Sequence, residues 1–414
     1  MSDLKPPRGT HDILPEEQRR HRHVGDTARD IAALYGYQEM STPIFESTDV
    51  FRRTLGETSD VVTKEMYSFE DKSSRSLTLR PEGTAGVARA FISGLRSEPL
   101  PLKLFYQGPM FRYERAQKGR QRQFHQFGVE LLGVDGPKGD VEVIAMGAQI
   151  LEALGVLDKS VLEINTLGDQ ESRKNYLKVL VDYFERHESG LSTESRDRLK
   201  QNPLRILDSK DTGDIGIVGD APRIEDHLNT ASRDFFETVC QRLEGLKTAY
   251  IHNPYLVRGL DYYCHTAFEF TASPLGAQNA VLAGGRYDGL IETMGGPSTS
   301  GIGWAAGVER LALMIDAPPA PAPAIAVVPI GEAAESESFL LAQRLRQSGH
   351  SVHLGYSGNL KKRLGRANKL GAACAVIIGE NELAKGAATV RDMKTGEETE
   401  VDLSSLEDHL AQFR

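Results

Sequence analysis

A proline-rich stretch sets the main limit on how this chain of 414 residues can fold. It runs from Asp316 to Ala324 with the sequence DAPPAPAPA, so four of its nine residues are proline. Because proline fixes φ and has no backbone N–H, a stretch this dense can neither continue a helix nor pair inside a sheet. We therefore predict a semi-rigid linker over residues 317–324, with one folded part before it and another after it.

The part after the linker, residues 325–414, alternates apolar runs with helical stretches. The runs IAVVPI, SVHLGY and CAVIIG predict strands, and helices are predicted around residues 335–348 and 360–370. A final pair of strands is expected near residues 388–402. Strands separated by helices are typical of an α/β domain with a largely parallel sheet.

The part before the linker shows a different pattern. A helix is predicted over Glu16–Tyr35, and strands joined by loops are predicted over residues 102–112 with 124–133 and over 249–271 with 280–287. Strands joined in this way indicate an antiparallel sheet with flanking helices, which is an α+β architecture.

A charged segment with few strand signals interrupts this part of the chain between residues 169 and 221. We predict that it is a helical insertion into a sheet domain made of residues 1–168 and 222–316.

Charge and cysteine content exclude several classes of protein. The 49 basic and 58 acidic residues leave a net charge of −9, so contacts with nucleic acid must come from local patches, and we expect no DNA partner. No apolar run is long enough to predict a membrane partner. The cysteines Cys240, Cys264 and Cys374 are far apart and odd in number, which argues against a disulfide framework. With no apolar signal segment at the N-terminus, we expect a cytoplasmic protein.

A strongly basic loop joins two predicted strands within residues 111–130, FRYERAQKGRQRQFHQFGVE. The loop holds one acid, Glu114, against five cations: Arg112, Arg115, Lys118, Arg120 and Arg122. Such a loop is suited to hold phosphates through charge-assisted hydrogen bonds, and Phe124 could stack on a base. The alternative is a charged hairpin that is simply solvated.

Four further motifs combine glycines with charged or aromatic side chains. GIGWAAGVERLAL places Arg310 on a helix after three glycines, and LVRGLDYYCHTAFEF places Arg258 beside Tyr262 and Tyr263. The other two are LAGGRYDGL and LTLRPEGTAGVARA. Buried arrays of this kind can select a small polar ligand, because a wrong ligand leaves polar groups unpaired. Each alone could also be tight strand–helix packing, a structural ion pair or an ordinary helix cap.

Together these motifs resemble those of one enzyme family. FRYE with Phe124 is similar to motif 2 of the class II aminoacyl-tRNA synthetases, GVERL to motif 3, and YGYQEMSTPIFE to motif 1, including Pro43. LVRGLDYY and AGGRYDGL resemble the two signature peptides of histidyl-tRNA synthetase, and RGTHDILP, LRPEGTA and KGRQRQFHQFGVE are also characteristic of it. The resemblance extends from Arg8 to about Gly396, and the chain looks like the bacterial type of this enzyme.

The resemblance implies a class II catalytic fold, a helical insertion and a C-terminal anticodon-binding α/β domain. It implies two steps: ATP converts L-histidine to histidyl-adenylate and pyrophosphate, and histidine then passes to the 3′-terminal adenosine of tRNA(His). It also implies a homodimer built through motif 1. Mg²⁺ would be held mainly by the ATP phosphates, and we expect no metal site made of protein ligands alone.

The resemblance assigns roles to particular residues. The catalytic cations would be Arg258, Arg112 and Arg310. ATP would be bound by Arg112, Glu114, Arg120, Phe124 and Arg310. Histidine would be bound by Glu82, Gly83, Thr84, Arg112, Gln126, Glu130, Arg258, Tyr262 and Tyr263, with Glu130 and Tyr263 each meeting one imidazole nitrogen.

The C-terminal part has a basic surface of its own. Residues 351–379 contain no acid, and five cations there are the predicted tRNA contacts: Lys361, Lys362, Arg363, Arg366 and Lys369. One solvated helix face would be the alternative.

Two other functions share parts of this pattern. One is a regulatory paralogue that acts as a non-catalytic subunit of ATP phosphoribosyltransferase, and the other is a pure RNA-binding module. The presence of the C-terminal domain, Arg112 and Arg310 argues against the paralogue.

Overall fold

The chain forms two compact units, Met1–Pro318 and Pro319–Arg414, and the boundary between them falls inside the proline-rich stretch. The computed structural model describes residues 4–56, 59–115, 119–260, 262–272 and 280–413. None of the helices within these residues combines the length and hydrophobicity needed to cross a bilayer.

The first unit contains helices and strands in an irregular order. Its helices are α1 (Pro15–Leu34), α2 (Thr48–Leu55), α3 (Thr84–Ala90), α4 (Lys138–Ala153), α5 (Gln170–Arg186), α6 (Thr193–Gln201), α7 (Thr212–Gly219), α8 (Thr230–Gly245), α9 (Leu290–Thr293) and α10 (Val308–Met314). Its strands are β1 (Gln38–Met40), β2 (Phe45–Ser47), β3 (Tyr67–Glu70), β4 (Ser76–Leu79), β5 (Leu102–Phe111), β6 (Gln123–Leu132), β7 (Val161–Thr166), β8 (Ile251–His252), β9 (Cys264–Thr271), β10 (Ala280–Arg286) and β11 (Gly301–Gly307).

The main sheet of this unit has the strand order β1-β5-β6-β11-β10-β9-β7-β8. The strands from β5 to β7 in this order pair antiparallel, which confirms the predicted sheet. Only the edge pairs are parallel, β1 with β5 and β7 with β8. Although β11 is the last of these strands along the chain, it lies between β6 and β10. This insertion brings α10 beside the loop that joins β5 and β6.

The two faces of the main sheet have different roles, because successive side chains of a strand point to opposite faces. On one face, Phe127 and Val129 of β6 and Trp304 of β11 belong to the core cluster that also contains buried residues of α1, α4 and α8. The alternate positions of β6, among them Gln126 and Glu130, point to the other face. On that face α3 and α9 cover only one part of the sheet, and the rest can hold a ligand.

The predicted insertion, residues 169–221, contains α5, α6 and α7 and no strand, and the structure describes all of it. Asp169 caps α5 by accepting a hydrogen bond from the N–H of Ser172 at 2.8 Å. Tyr176, Leu180 and Phe184 of α5 form a core cluster with residues of the sheet domain such as Ala267. The domain boundaries predicted on either side of the segment stay a prediction.

The second unit is a five-stranded sheet with helices. Its elements are β12 (Ala324–Pro329), α11 (Glu332–Gln347), β13 (Ser351–Leu354), α12 (Leu360–Lys369), β14 (Ala372–Ile378), α13 (Glu380–Lys385), β15 (Ala387–Asp392), β16 (Glu398–Asp402) and α14 (Leu406–Leu410). The strand order is β13-β12-β14-β15-β16, and the first three strands are parallel as predicted. The last two pair antiparallel, because β15 and β16 are joined by a tight turn in which Asp392 accepts the N–H groups of Lys394 and Thr395.

Candidate active site

A cavity of about 890 Å³ opens in the first unit, lined by residues of β6, β9, β10 and β11. Eleven of the predicted site residues lie on its wall: Glu82, Thr84, Arg112, Glu114, Arg120, Phe124, Gln126, Arg258, Tyr262, Tyr263 and Arg310. These residues come from four separate parts of the sequence, so the sheet order rather than sequence proximity brings them together.

The loop between β5 and β6 forms one end of the cavity. Arg112 follows β5 and donates its Nε–H to the carbonyl oxygen of Pro81 at 2.8 Å. Its guanidinium carbon lies 5.4 Å from the centre of the Phe124 ring, within cation–π range. Glu114 pairs with Arg120, and one of its oxygens is 3.9 Å from Arg112 Nη1. Lys118, the fifth cation predicted for this loop, lies outside the described residues.

Three guanidinium groups crowd this end of the cavity. Burial lowers the pKa of Arg310, and the positive charge of Arg112 lowers it further. Burial also lowers the pKa of Arg120 to about 10, with Arg112 and Arg310 adding to the effect. Because a guanidinium group carries a positive charge in proteins, the chain holds like charges close together here. A polyanion bound between them would relieve this repulsion.

Arg258 occupies the cavity wall with a carboxylate behind it. Its Nη1–H donates to Glu269 of β9 at 2.8 Å, and its guanidinium lies 5.9 Å from the Tyr263 ring centre. Burial acts to lower the pKa of Arg258, but Glu269 and the neighbouring tyrosines raise it above its usual value. The Nε of Arg258 is buried and has no hydrogen-bond partner within the described residues. Glu269 therefore holds the cation from one side, while Arg258 lines the cavity on the other.

Glu82 forms part of the wall at the start of α3. Its carboxylate accepts the backbone N–H groups of Thr84 and Ala85 at 2.7 and 2.8 Å, so it also caps this helix. Burial raises the pKa of Glu82, and these two hydrogen bonds act in the opposite direction. Nearby, Gln126 Oε1 is buried without a hydrogen-bond partner in the described part of the chain. Glu82 and Gln126 thus offer acceptors to a small cationic group.

Glu130 lies beneath the wall rather than on it. Its side chain is fully buried, and its two oxygens accept hydrogen bonds from the hydroxyl groups of Thr84 and Tyr287. Burial raises the pKa of Glu130 to about 8. Gly83 is also absent from the wall: a Cβ there would lie 2.1 Å from the ring of Tyr106, so only glycine fits. The predicted direct contacts of Glu130 and Gly83 with histidine are therefore not formed by exposed groups.

Two residues that position the site, Glu269 and Tyr287, were not among the predicted site residues. Glu269 is the one acid in the apolar strand β9, and this exception to the pattern was its available signal. Tyr287 belongs to the motif LAGGRYDGL, in which the preceding Arg286 proves to be structural. Arg286 is fully buried and forms an ion pair with Asp140, which is also fully buried. The ion-pair alternative therefore holds for Arg286.

In the second unit, α12 carries all five predicted tRNA contacts, and four of them are exposed: Lys361, Lys362, Arg366 and Lys369. Arg363 is buried, and its guanidinium donates to the carbonyl oxygen of Pro329 and to Glu335. This burial speaks against the predicted RNA contact by Arg363. A second cavity, of about 730 Å³, lies beside α12 and includes Lys361 and Arg391.

Comparisons with known proteins cover the whole chain. A family model described as histidyl-tRNA synthetase matches residues 9–311, and one described as an anticodon binding domain matches residues 324–413. The chain is 58% identical over 414 residues to the histidine–tRNA ligase of Rhodospirillum rubrum, with 100% of both sequences covered. It is 54% identical over 411 residues to that of Gluconacetobacter diazotrophicus, with 99% of each covered. A crystal structure of apo S. aureus histidyl-tRNA synthetase is similar with a TM-score of 0.83 and 38% identity, covering 98% of this chain and 99% of that one.

Proposed function

The chain belongs to the histidyl-tRNA synthetase family and is a histidine–tRNA ligase. On this basis we propose which residues bind ATP, histidine and tRNA. The reaction joins L-histidine to ATP as histidyl-adenylate, releases pyrophosphate, and then passes histidine to the 3′-terminal adenosine of tRNA(His). The regulatory alternative is not favoured, because the similarity to ligases extends over the full chain, including the anticodon-binding part.

The ATP end of the cavity is the end with three guanidinium groups, and their proximity is the observation that carries this proposal. Arg112 contacts the α-phosphate, Arg310 the γ-phosphate, and Phe124 stacks on the adenine. Glu114 accepts from the adenine amine, and this requires Arg120 to leave Glu114 and turn to the phosphates. Mg²⁺ arrives with ATP and is held mainly by the ATP phosphates; Glu269, the acid next to Arg258, is already paired with that arginine.

The histidine end of the cavity holds the acids and phenols. Glu82, Thr84 and Gln126 receive the α-amino group, and the unpartnered oxygen of Gln126 supports this role. Tyr263, with Tyr262 beside it, contacts one imidazole nitrogen from the wall. Glu130 meets the other nitrogen only once the Thr84 hydroxyl above it turns away, since a neutral imidazole offers one donor and one acceptor. Gly83 contributes only its backbone, and its lack of a side chain leaves space for the ring of Tyr106.

Arg258 lies between the two ends and neutralises charge in the first step. The histidine carboxylate attacks the α-phosphorus in line and needs no general base, so the step depends on position and on neutralising two anions. Arg258 lines the cavity, and the guanidinium donors that are not used by its pair with Glu269 would face these anions.

The test is histidine-dependent exchange of pyrophosphate into ATP in Arg258 variants. We expect Arg258→Ala to lose at least about 10²-fold in exchange rate and Arg258→Lys to recover only part, because a point charge cannot replace a planar fork. Arg89→Lys is the matched control, since Arg89 pairs with Glu46 and does not line the cavity. Exchange at the wild-type rate in folded Arg258→Ala protein would contradict the proposal.

The anticodon-binding unit supplies affinity for tRNA through the four exposed cations of α12. The chain is acidic as a whole, so a local basic surface is the means by which it attracts phosphates. We exclude Arg363 from this surface and assign it to anchoring α12 on β12, because its guanidinium is bonded to Pro329.

A homodimer is supported by the small sheet of order β2-β4-β3. Phe45, Tyr67 and Phe69 lie on one face of it, and Phe45 and Phe69 keep 52% and 45% of their surface exposed. An apolar face next to Pro43 is suited to a second copy of the chain.

A cytoplasmic location is likewise proposed, supported by the three free cysteines.

A further inference from the structure

We propose a binding site for a divalent transition-metal cation made of His21, His125 and Glu309. The three residues lie on α1, β6 and α10, and one ligand atom of each lies within 4.8 Å of the others. His125 stands between Phe124 and Gln126, which line the cavity, so its side chain points to the opposite, helix-covered face of the sheet. His21 and His125 therefore lie behind the strand that forms the ATP end, and Glu309 stands at the edge of the cavity that it also lines.

The positions of the ligand atoms are close to those that a metal requires. His125 Nδ1 is 2.9 Å from Glu309 Oε1, and the rings of His21 and His125 have centres 5.8 Å apart at an angle of 64°. Metal–ligand bonds of about 2.0–2.2 Å place neighbouring ligand atoms roughly 3 Å apart, so a small shift of the His21 ring closes the set. His21 is only 6% exposed, whereas the side chains of His125 and Glu309 keep 27% and 10% of their surface exposed, so a cation can reach the site from their side.

The ligand types select the class of cation. Imidazole nitrogens suit Zn²⁺, Ni²⁺, Co²⁺ and Cu²⁺, whereas Mg²⁺ and Ca²⁺ prefer oxygen ligands alone. The carboxylate of Glu309 is already oriented, because both its oxygens accept the backbone N–H of His125 at 2.9 and 3.0 Å. Glu17 adds an outer layer: its carboxylate is 4.0 Å from His21 and 3.0 Å from His11.

The sequence alone led us to expect no metal site from protein ligands, since His21 and His23 are two positions apart on a helix and cannot share a face. The structure pairs His21 with residues from distant parts of the chain instead. A cation bound there would tie α1 to the strand that carries Phe124 and to the helix that carries Arg310. It would thus stabilise the ATP end of the cavity from behind.

The experiment uses untagged, full-length protein freed of metal with a chelator. Titration with Co²⁺ is followed by visible absorption, and titration with Zn²⁺ by calorimetry and by thermal unfolding. We expect the wild type to bind one equivalent with a visible Co²⁺ spectrum, and to unfold several degrees higher in about 100 µM Zn²⁺. His21→Ala should weaken this binding at least about tenfold and abolish both signals.

His23→Ala is the matched control, because His23 lies on the same helix but outside the cluster. It should keep the wild-type spectrum, stoichiometry and thermal shift. If His21→Ala does not fold, His21→Gln, which keeps a polar side chain, takes its place after its exchange activity confirms a native fold. Absence of a Co²⁺ spectrum in the wild type, or equal binding by the wild type and a folded His21 variant, would overturn the proposal.

Discussion

The buried acid Glu130 should make the stability of the catalytic unit fall as pH rises, and Glu130→Gln should remove this effect. Burial raises its pKa from 4.5 to about 8 in the folded protein. Between these values the folded chain keeps a proton that the unfolded chain has lost. The folded state therefore binds more protons, and the free energy of unfolding decreases with rising pH through this window.

The magnitude follows from the two pKa values. Their difference corresponds to roughly 5 kcal/mol above pH 8, and to about 2 kcal/mol between pH 6 and pH 8. Glutamine does not titrate, so the wild-type profile should fall about 2 kcal/mol further than the Glu130→Gln profile over this range. Glutamine also changes the hydrogen bonds with Thr84 and Tyr287, but that offset does not depend on pH.

The assay is urea unfolding followed by tryptophan fluorescence, without histidine or ATP and at one protein concentration. The chain has a single tryptophan, Trp304, which is 2% exposed and belongs to β11 next to Glu130, so the signal reports on the first unit alone. With an m-value near 3 kcal/mol/M, 2 kcal/mol is a shift of about 0.7 M in midpoint. Parallel profiles for the two proteins from pH 6 to pH 8 would refute the reasoning, since Glu130 would then be ionised in the folded state.

Three further predictions test other parts of the structure. Arg286→Met should lower the free energy of unfolding, read from Trp304 fluorescence, by about 3–5 kcal/mol, because it leaves the buried carboxylate of Asp140 unpaired. Arg29→Met, which breaks the exposed pair with Asp26, should lower it by less than about 1 kcal/mol. Equal losses in the two variants would refute this contrast. Alanine at the four exposed cations of α12 should weaken tRNA binding and reduce its salt dependence by about one unit of slope per lost phosphate contact, while Arg363→Ala should lower the melting temperature with an unchanged slope. Phe45→Glu should convert the proposed dimer to monomers in sedimentation and reduce exchange activity, and an active dimer would argue against this face as the interface.

The local pattern of the sequence was enough to predict most of the elements. Short apolar runs located the central strands of the second unit, since a parallel strand covered on both faces is apolar along its length. Two strand-like segments on either side of a basic loop located β5 and β6. The density of proline marked the boundary between the units, because it forbids regular structure whatever surrounds it. The motif residues on the cavity wall were also predictable, because the motifs resemble those of the class II aminoacyl-tRNA synthetases.

The tertiary structure decided the depth and the partners of individual side chains. Arg363 belongs to a run of cations, but it shares a helix face with buried Ala367, so packing against the sheet took it out of the surface. Glu130 sinks below the cavity wall because its neighbour across the sheet is Gly303, where a Cβ would lie 2.0 Å from its carboxylate.

The cluster of His21, His125 and Glu309 likewise exists only because β11 inserts beside β6 and α1 covers that face of the sheet. Sequence periodicity determines which face of an element a residue occupies. The choice of neighbouring element, and with it burial, charge pairing and pKa, depends on contacts between residues far apart in the chain.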